Sequence, residues 1–207
     1  VYHMNFLIKK IYIILLLSVL LVEASVHAKE SKIQYKKENI SNYFSGIVSI
    51  NQSYNKEAFK HLNKVKSLKN RHINYNIEFV RTLVLLEKYN QAYKFSKSAW
   101  SENELVFEID LLLGLDYFLK EDYINAEKHF KRLNKISRYN LYFNDFIGNI
   151  LLAWSKASQG KKEESFKFIE KVPRPYLQVK NTQNVFLQCY FDDPLTLKSF
   201  EELVNNE

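Results

Sequence analysis

His61, His72 and His129 are the side chains in the body of this chain best able to bind a metal or move a proton, and no second ligand stands at a useful spacing from any of them. Ligand pairs on a helix or turn need His or Cys a few residues apart. His61 and His129 are instead 68 residues apart, and His72 lies in the polar run Lys69-Asn70-Arg71-His72. Cys189 is the only cysteine. Val185, Phe186, Leu187 and Tyr190 around it read as one helix, which predicts a buried, inert thiol and no disulfide staple. Gly46, Gly114, Gly148 and Gly160 are isolated, so no glycine-rich phosphate loop exists. Asp145 and the pair Asp192-Asp193 fall at expected helix starts, where capping accounts for them. The net charge of +7 comes from lysines that do not align on one helix face, which argues against a nucleic-acid stripe. These residues predict no catalytic centre, no cofactor and no metal.

The stretch that organises the elements is 113–133. Leu113-Gly114-x-x-Tyr117 precedes Ala126-x-x-x-Phe130 and Leu133, a spacing that predicts two short helices packed face to face. Gly114 and Ala126 sit where the backbones cross, and let them approach to the short end of the usual range of about 8–10 Å. The small residue recurs 34 positions earlier at Ala92 and 34 earlier again at Ala58, then 39 later at Ser165 and 34 after that at Ser199. Gly46 stands 68 before Gly114, with Val80 at the intermediate position, so the middle unit is the less faithful one. The five additional residues fall in the connection 134–142.

Leu113, Gly114, Tyr117, Ala126 and Phe130 match the signature of the tetratricopeptide repeat (TPR), and the chain resembles that family over about 41–204. Asp110 stands where the signature has Trp, and Arg138 where it has Pro. The resemblance implies an all-α fold, an α-solenoid wound as a right-handed superhelix of antiparallel helix pairs, with about five TPR-like repeats near 39–72, 73–106, 107–140, 141–179 and 180–207. Expected helices are 41–52 and 55–67, 74–87 and 89–98, then a third pair whose first helix is opened by the capping box Ser101-x-x-Glu104 and whose second is capped by Asp122. The fourth pair is expected over 141–159 and 163–172, with Gly160 at the turn. Pro173-Arg174-Pro175 predicts an extended connection, and Asp193-Pro194 an N-cap and first helical residue.

The same resemblance implies a concave groove lined by the second, fifth, ninth and twelfth residues of each unit. These are Ile40, Tyr43, Ile47 and Ile50; Asn74, Ile77, Arg81 and Val84; Glu108, Leu111, Leu115 and Phe118; and Ile147, Ile150, Trp154 and Ala157. The expected partner-binding set is Tyr43, Ile47, Ile77, Arg81, Glu108, Leu111, Leu115, Phe118, Ile150 and Trp154, with Trp154 as anchor and Arg81 and Glu108 setting orientation. The Lys and Asn clamp by which some family members hold a terminal carboxylate is absent here. The groove is mostly apolar and suits a protein or peptide with an apolar face, such as an amphipathic helix. The alternative is that these side chains are internal.

Residues 1–28 read as an export signal: Lys9-Lys10 precede the twelve-residue apolar run 11–22, which is short for a membrane span, and Val26-His27-Ala28 suits cleavage. The expected location is the bacterial periplasm. The alternative is an uncleaved inner-membrane anchor, which would put the chain close to the membrane. Residues 29–40 are polar and read as a flexible lead-in. At the other end, Phe200, Leu203 and Val204 lie close to Glu207 with no polar cap. That pattern predicts continuation into a longer protein, or contact with a partner or a second copy. A non-catalytic interaction scaffold is the leading functional expectation, with the accessory domain of a larger envelope enzyme and a self-assembling repeat protein as alternatives.

Overall fold

The computed structural model describes residues 37–137 and 146–205. The expected export signal at 1–28, most of the lead-in, Arg138 and Asp145 lie outside them. Ten α-helices and no strand occur among the described residues. They are α1 (Lys37–Asn51), α2 (Asn55–Leu62), α3 (Ile73–Leu85), α4 (Tyr89–Ala99) and α5 (Phe107–Leu119), then α6 (Tyr123–Ser137), α7 (Phe146–Ser158), α8 (Lys162–Glu170), α9 (Leu177–Tyr190) and α10 (Thr196–Asn205). Odd- and even-numbered helices pair as five hairpins, the first joined where Gly46 meets Leu62 and Asn42 meets His61, and each is packed on the next in chain order.

Small residues set the closeness of the first four pairs, whereas the expected Ser199 of the fifth is only half-buried. Ala58, Ala92, Ala126 and Ser165 are all fully buried. A Cβ added at Gly46 would stand 2.6 Å from Leu62, and one at Gly114 would stand 2.5 Å from Phe130, so neither position admits a side chain without movement. In the second pair the sizes are exchanged. Val80 occupies the glycine position, and Ser96, sixteen residues on, replaces Leu62 or Phe130; both are buried. The unit that matches the signature least therefore keeps its crossing by moving bulk from one helix to the other.

The turns between paired helices share one backbone device. Ser53, Glu87 and Glu121, spaced by 34, have φ of 60°, 57° and 61°; Gly160 has 74° and Asp192 has 49°. In each turn the following amide reaches back five residues, from Tyr54 to Ser49, Lys88 to Leu83, Asp122 to Tyr117, Lys161 to Lys156 and Asp193 to Gln188, at 2.8–3.0 Å. This is the Schellman closure, which usually takes glycine at the left-handed residue. Only Gly160 is legible as such in the sequence.

Several local expectations are corrected. α1 starts at Lys37, ahead of position 41, so 37–40 are helical and not flexible lead-in. The second helix of the first pair is α-helical only to Leu62 and continues as a 3-10 turn over Asn63–Leu68, kinked at Val65. Ser101-x-x-Glu104 caps no helix, because α5 begins at Phe107. The carbonyls of Ser101, Glu102 and Glu104 are instead taken by Arg132, which holds this connection out of helical register. Asp122 does cap α6, accepting from the Asn125 amide at 3.3 Å. Pro173 is extended, but Arg174–Tyr176 form a 3-10 turn. Asp193 accepts from the Leu195 amide, and α10 begins at Thr196. Cys189 is exposed, not buried. Of the equivalent residues in the earlier units, Thr82 and Ser155 are buried and Asp116 is half-buried.

Candidate protein-interaction cleft

Glu108, Leu111, Leu115 and Leu119 are spaced by three or four and share one face of α5. α3 and α4 stand opposite, contributing Arg81, Val84 and Leu85, then Tyr89 and Tyr93. Between the second and third pairs these elements enclose an open cleft of about 660 Å³, whose walls are apolar except for Arg81, Asn90, Glu108 and Asp116. Apolar groups are unusually accessible along it: Leu85 is 61% and Leu119 81% exposed. Arg81 donates from Nε to Glu108 Oε1 at 2.8 Å and pairs with Glu78 at 3.2 Å, bridging α3 to α5. Lys120 pairs with Asp116 at 2.6 Å at the far end. A volume of this size accepts several apolar side chains, and the wall offers little that could orient a small polar substrate.

The opposite face of α5 is pinned by a buried polar knot. Asp110 Oδ1 accepts from Trp100 Nε1 at 3.1 Å and from Arg132 Nε at 2.8 Å, and His129 Nδ1 stands 2.8 Å away. The His129 ring lies between Trp100 and Tyr117, with centroids 5.6 Å from each. Asp110 is thus tied to the connection before α5 and to α6, and it fixes the rotation of α5 that turns Leu111 and Leu115 toward the cleft.

A second charged cluster joins the third and fourth pairs. Lys156 lies 3.0 Å from Glu127 and 3.2 Å from Glu164, and Gln159 donates to Glu127 at 2.8 Å. Burial alone would raise the Glu127 pKa, but the hydrogen bonds from Gln159 and Lys156 and the charges of Lys156 and Lys131 outweigh it, leaving the carboxyl below its ordinary range. Burial works against the Lys156 ammonium, yet its bonds to Glu127 and Glu164 leave that pKa raised.

No protein-family model matches the sequence, and no curated protein matches it. Solved structures of MamA, a TPR-like protein, do share its architecture. A crystal structure of MamA is 13% identical, with a TM-score of 0.64 over 82% of this chain and 91% of that one. MamA from Desulfovibrio magneticus RS-1, from residue 41 to its end, is 12% identical, with a TM-score of 0.65 over 82% and 95%. The chain has a TPR-like α-solenoid fold. At such identities the likeness concerns the fold alone.

Within this solenoid the ten expected groove residues divide. Arg81, Glu108, Leu111 and Leu115 line the cleft together. Ile77 packs against the Val80, Val106 and Leu113 core, and Phe118 against Phe130 and Tyr123. Tyr43 rests on the His72 ring at 4.9 Å, and Ile47 is half-buried on α1. Ile150 packs on the Ala153 and Leu187 core. Trp154 donates to Gln183 at 2.7 Å and meets Tyr190 edge-on at 5.8 Å, so it is committed to α9 and lies outside the cleft. The cleft also uses residues outside the expected set, and the register marks some of them: Leu85 and Leu119 are 34 apart at the ends of α3 and α5. The knot has a signal too. Asn42, Asn76, Asp110, Asn149 and Gln183 fall at one repeat position, and every one makes a hydrogen bond to another element or connection.

Proposed function

We propose that the chain is a non-catalytic scaffold of the bacterial cell envelope that holds a partner protein by the apolar face of an amphipathic helix or extended peptide. The observation that carries this reading is the solvent-open apolar cleft between the second and third pairs, with Arg81 and Glu108 paired across it. An apolar helix face with anchors at i, i+3 and i+7 offers the matching surface. Exposed Leu85 and Leu119 have no core function that would account for them.

The test is capture of partners from envelope extract by wild type and by a Leu111→Asp, Leu115→Asp variant whose helicity is first established by circular dichroism. Loss of a specific protein by the folded variant, with an affinity change of at least about tenfold, supports the reading. Equal capture by both overturns it. Trp154→Ala is the control that distinguishes the cleft from the fourth pair, and it leaves capture unchanged. Export is tested separately by fractionation of cells and the mass of the recovered chain, which begins at Lys29 if cleavage follows Ala28.

A second reading, self-association, is favoured by Leu197, Phe200 and Val204, which are 70%, 51% and 55% exposed on α10. Concentration-dependent mass in light scattering, abolished by Phe200→Asp, is its test.

A further inference from the structure

A second cleft, sharing no lining residue with the first, lies between the first and second pairs. It has a volume of about 510 Å³, and its floor is Phe79, Leu83 and Phe95, with Lys66, Lys69 and Lys94 above. Phe79 and Leu83 are almost completely buried. Lys66 Nζ stands 5.9 Å from the centre of the Phe79 ring. None of the three ammonium groups has a carboxylate within ion-pair range among the described residues, although twelve Lys or Arg pairs with carboxylates are formed elsewhere among them. The surroundings reinforce the imbalance. Ten of the 30 Lys and Arg residues but three of the 23 Asp and Glu fall between positions 55 and 98, an excess equal to the formal charge of the whole chain, +7. The lysines are dispersed in sequence, and packing of both the 3-10 turn and α4 against α3 brings three of them to one opening.

We propose that this lysine-rimmed cleft is a second docking site, for an acidic peptide segment of a partner protein that presents one large apolar side chain between carboxylates. The floor takes the apolar side chain and the rim pairs the carboxylates, so both parts of the segment are satisfied at once. The depth order selects this partner over other anions. A bilayer would require apolar groups that project beyond the cations, whereas here they are recessed beneath them. A nucleic acid would require several exposed rings on which successive bases stack, whereas Phe95 is the one ring of this lining with more than marginal exposure, enough to meet a single apolar side chain.

The probes are a short fluorescein-labelled peptide with one Phe flanked by Asp and Glu, its Asn and Gln counterpart, and vesicles of phosphatidylserine and phosphatidylcholine. Anisotropy and co-sedimentation are measured with the full chain. The acidic peptide binds at least about tenfold more tightly than the neutral one, and more weakly at about 300 mM than at about 50 mM salt. A Lys66→Glu, Lys69→Glu, Lys94→Glu variant loses at least about tenfold in affinity, and the corresponding Gln variant loses less. Lys161→Glu, Lys167→Glu, Lys198→Glu, with the same net charge, leaves binding within about twofold, as does the Leu111→Asp, Leu115→Asp variant of the apolar cleft. Three results overturn the proposal: equal loss in both charge-reversed variants, no binding of the acidic peptide, and vesicle binding that exceeds peptide binding and disappears with the cleft lysines. None of them bears on the apolar cleft.

Discussion

The first and third helix pairs, 68 residues apart, are built on the same backbone and differ in what they bury. Gly46 faces Leu62 as Gly114 faces Phe130, and the turns at Ser53 and Glu121 have φ of 60° and 61°. Both place a polar residue opposite a histidine, Asn42 to His61 at 3.0 Å and Asp110 to His129 at 2.8 Å. In the first pair that contact contains no carboxylate and is partly exposed. In the third it is an ion-containing knot, with Asp110 fully buried and Trp100 and Arg132 brought in. Repeat geometry is therefore fixed by small residues and turns, while the polar position is free to specialise. Trp100 and Arg132 both donate to Asp110 Oδ1, while Oδ2 is buried with no partner among the described residues. The charge is therefore held by its pairing with Arg132 and not by full replacement of water.

The largest break in this likeness comes from removing the two polar residues. Asp110→Ala destabilises the chain by about 3–5 kcal/mol in urea unfolding, because Arg132 is left buried without its carboxylate. Asn42→Ala costs only about 1 kcal/mol, the worth of a hydrogen bond near solvent. Equal losses would mean that the third pair is no more dependent on its polar contact than the first.

Acid sharpens the contrast, since the third pair is also tied to the fourth by Glu127. The Glu127 pKa is depressed in the folded state, so its contribution is complete above the unfolded value of about 4.3 and is lost as pH falls through the folded value. Lys156 has the opposite sign: its raised pKa contributes fully below about 10.4 and is lost as pH rises through the folded value. Glu127→Gln costs about 1–2 kcal/mol at neutral pH, and the gap from wild type closes in urea titrations carried to about pH 3.

Smaller effects test the shared backbone. Ser53→Gly and Glu121→Gly each stabilise by about 0.5–1 kcal/mol, by similar amounts in thermal melts, because the two turns have the same left-handed residue. Unequal gains would show that the turns are not equivalent. Smallest is Ser96→Ala in the intermediate pair. Its buried hydroxyl has no partner among the described residues, so the change is stabilising by less than about 1 kcal/mol.

The repeat was legible because Ala58, Ala92, Ala126 and Ser165 carry the crossing and evenly spaced small residues survive in a linear text. Val80 obscured it, since its compensation lies in Ser96, sixteen residues away. Ser101-x-x-Glu104 misled for a related reason. Its local capping preference is worth about 1 kcal/mol, and a guanidinium from α6 that binds three carbonyls outweighs it. Four of the ten expected groove residues converge in the cleft, and Trp154 does not, because its indole N–H has a partner on α9 that periodicity does not reveal.

By itself the sequence determined the helix pairs, their number and the residues at which they cross, because those depend on spacing along one chain and on side-chain size. Only the tertiary structure decided which unit buries a carboxylate, which apolar residues remain open to solvent, and which scattered lysines share a rim. Those properties depend on what a neighbouring pair places within a few ångströms, and charge and exposure belong to the resulting surroundings and not to a residue type.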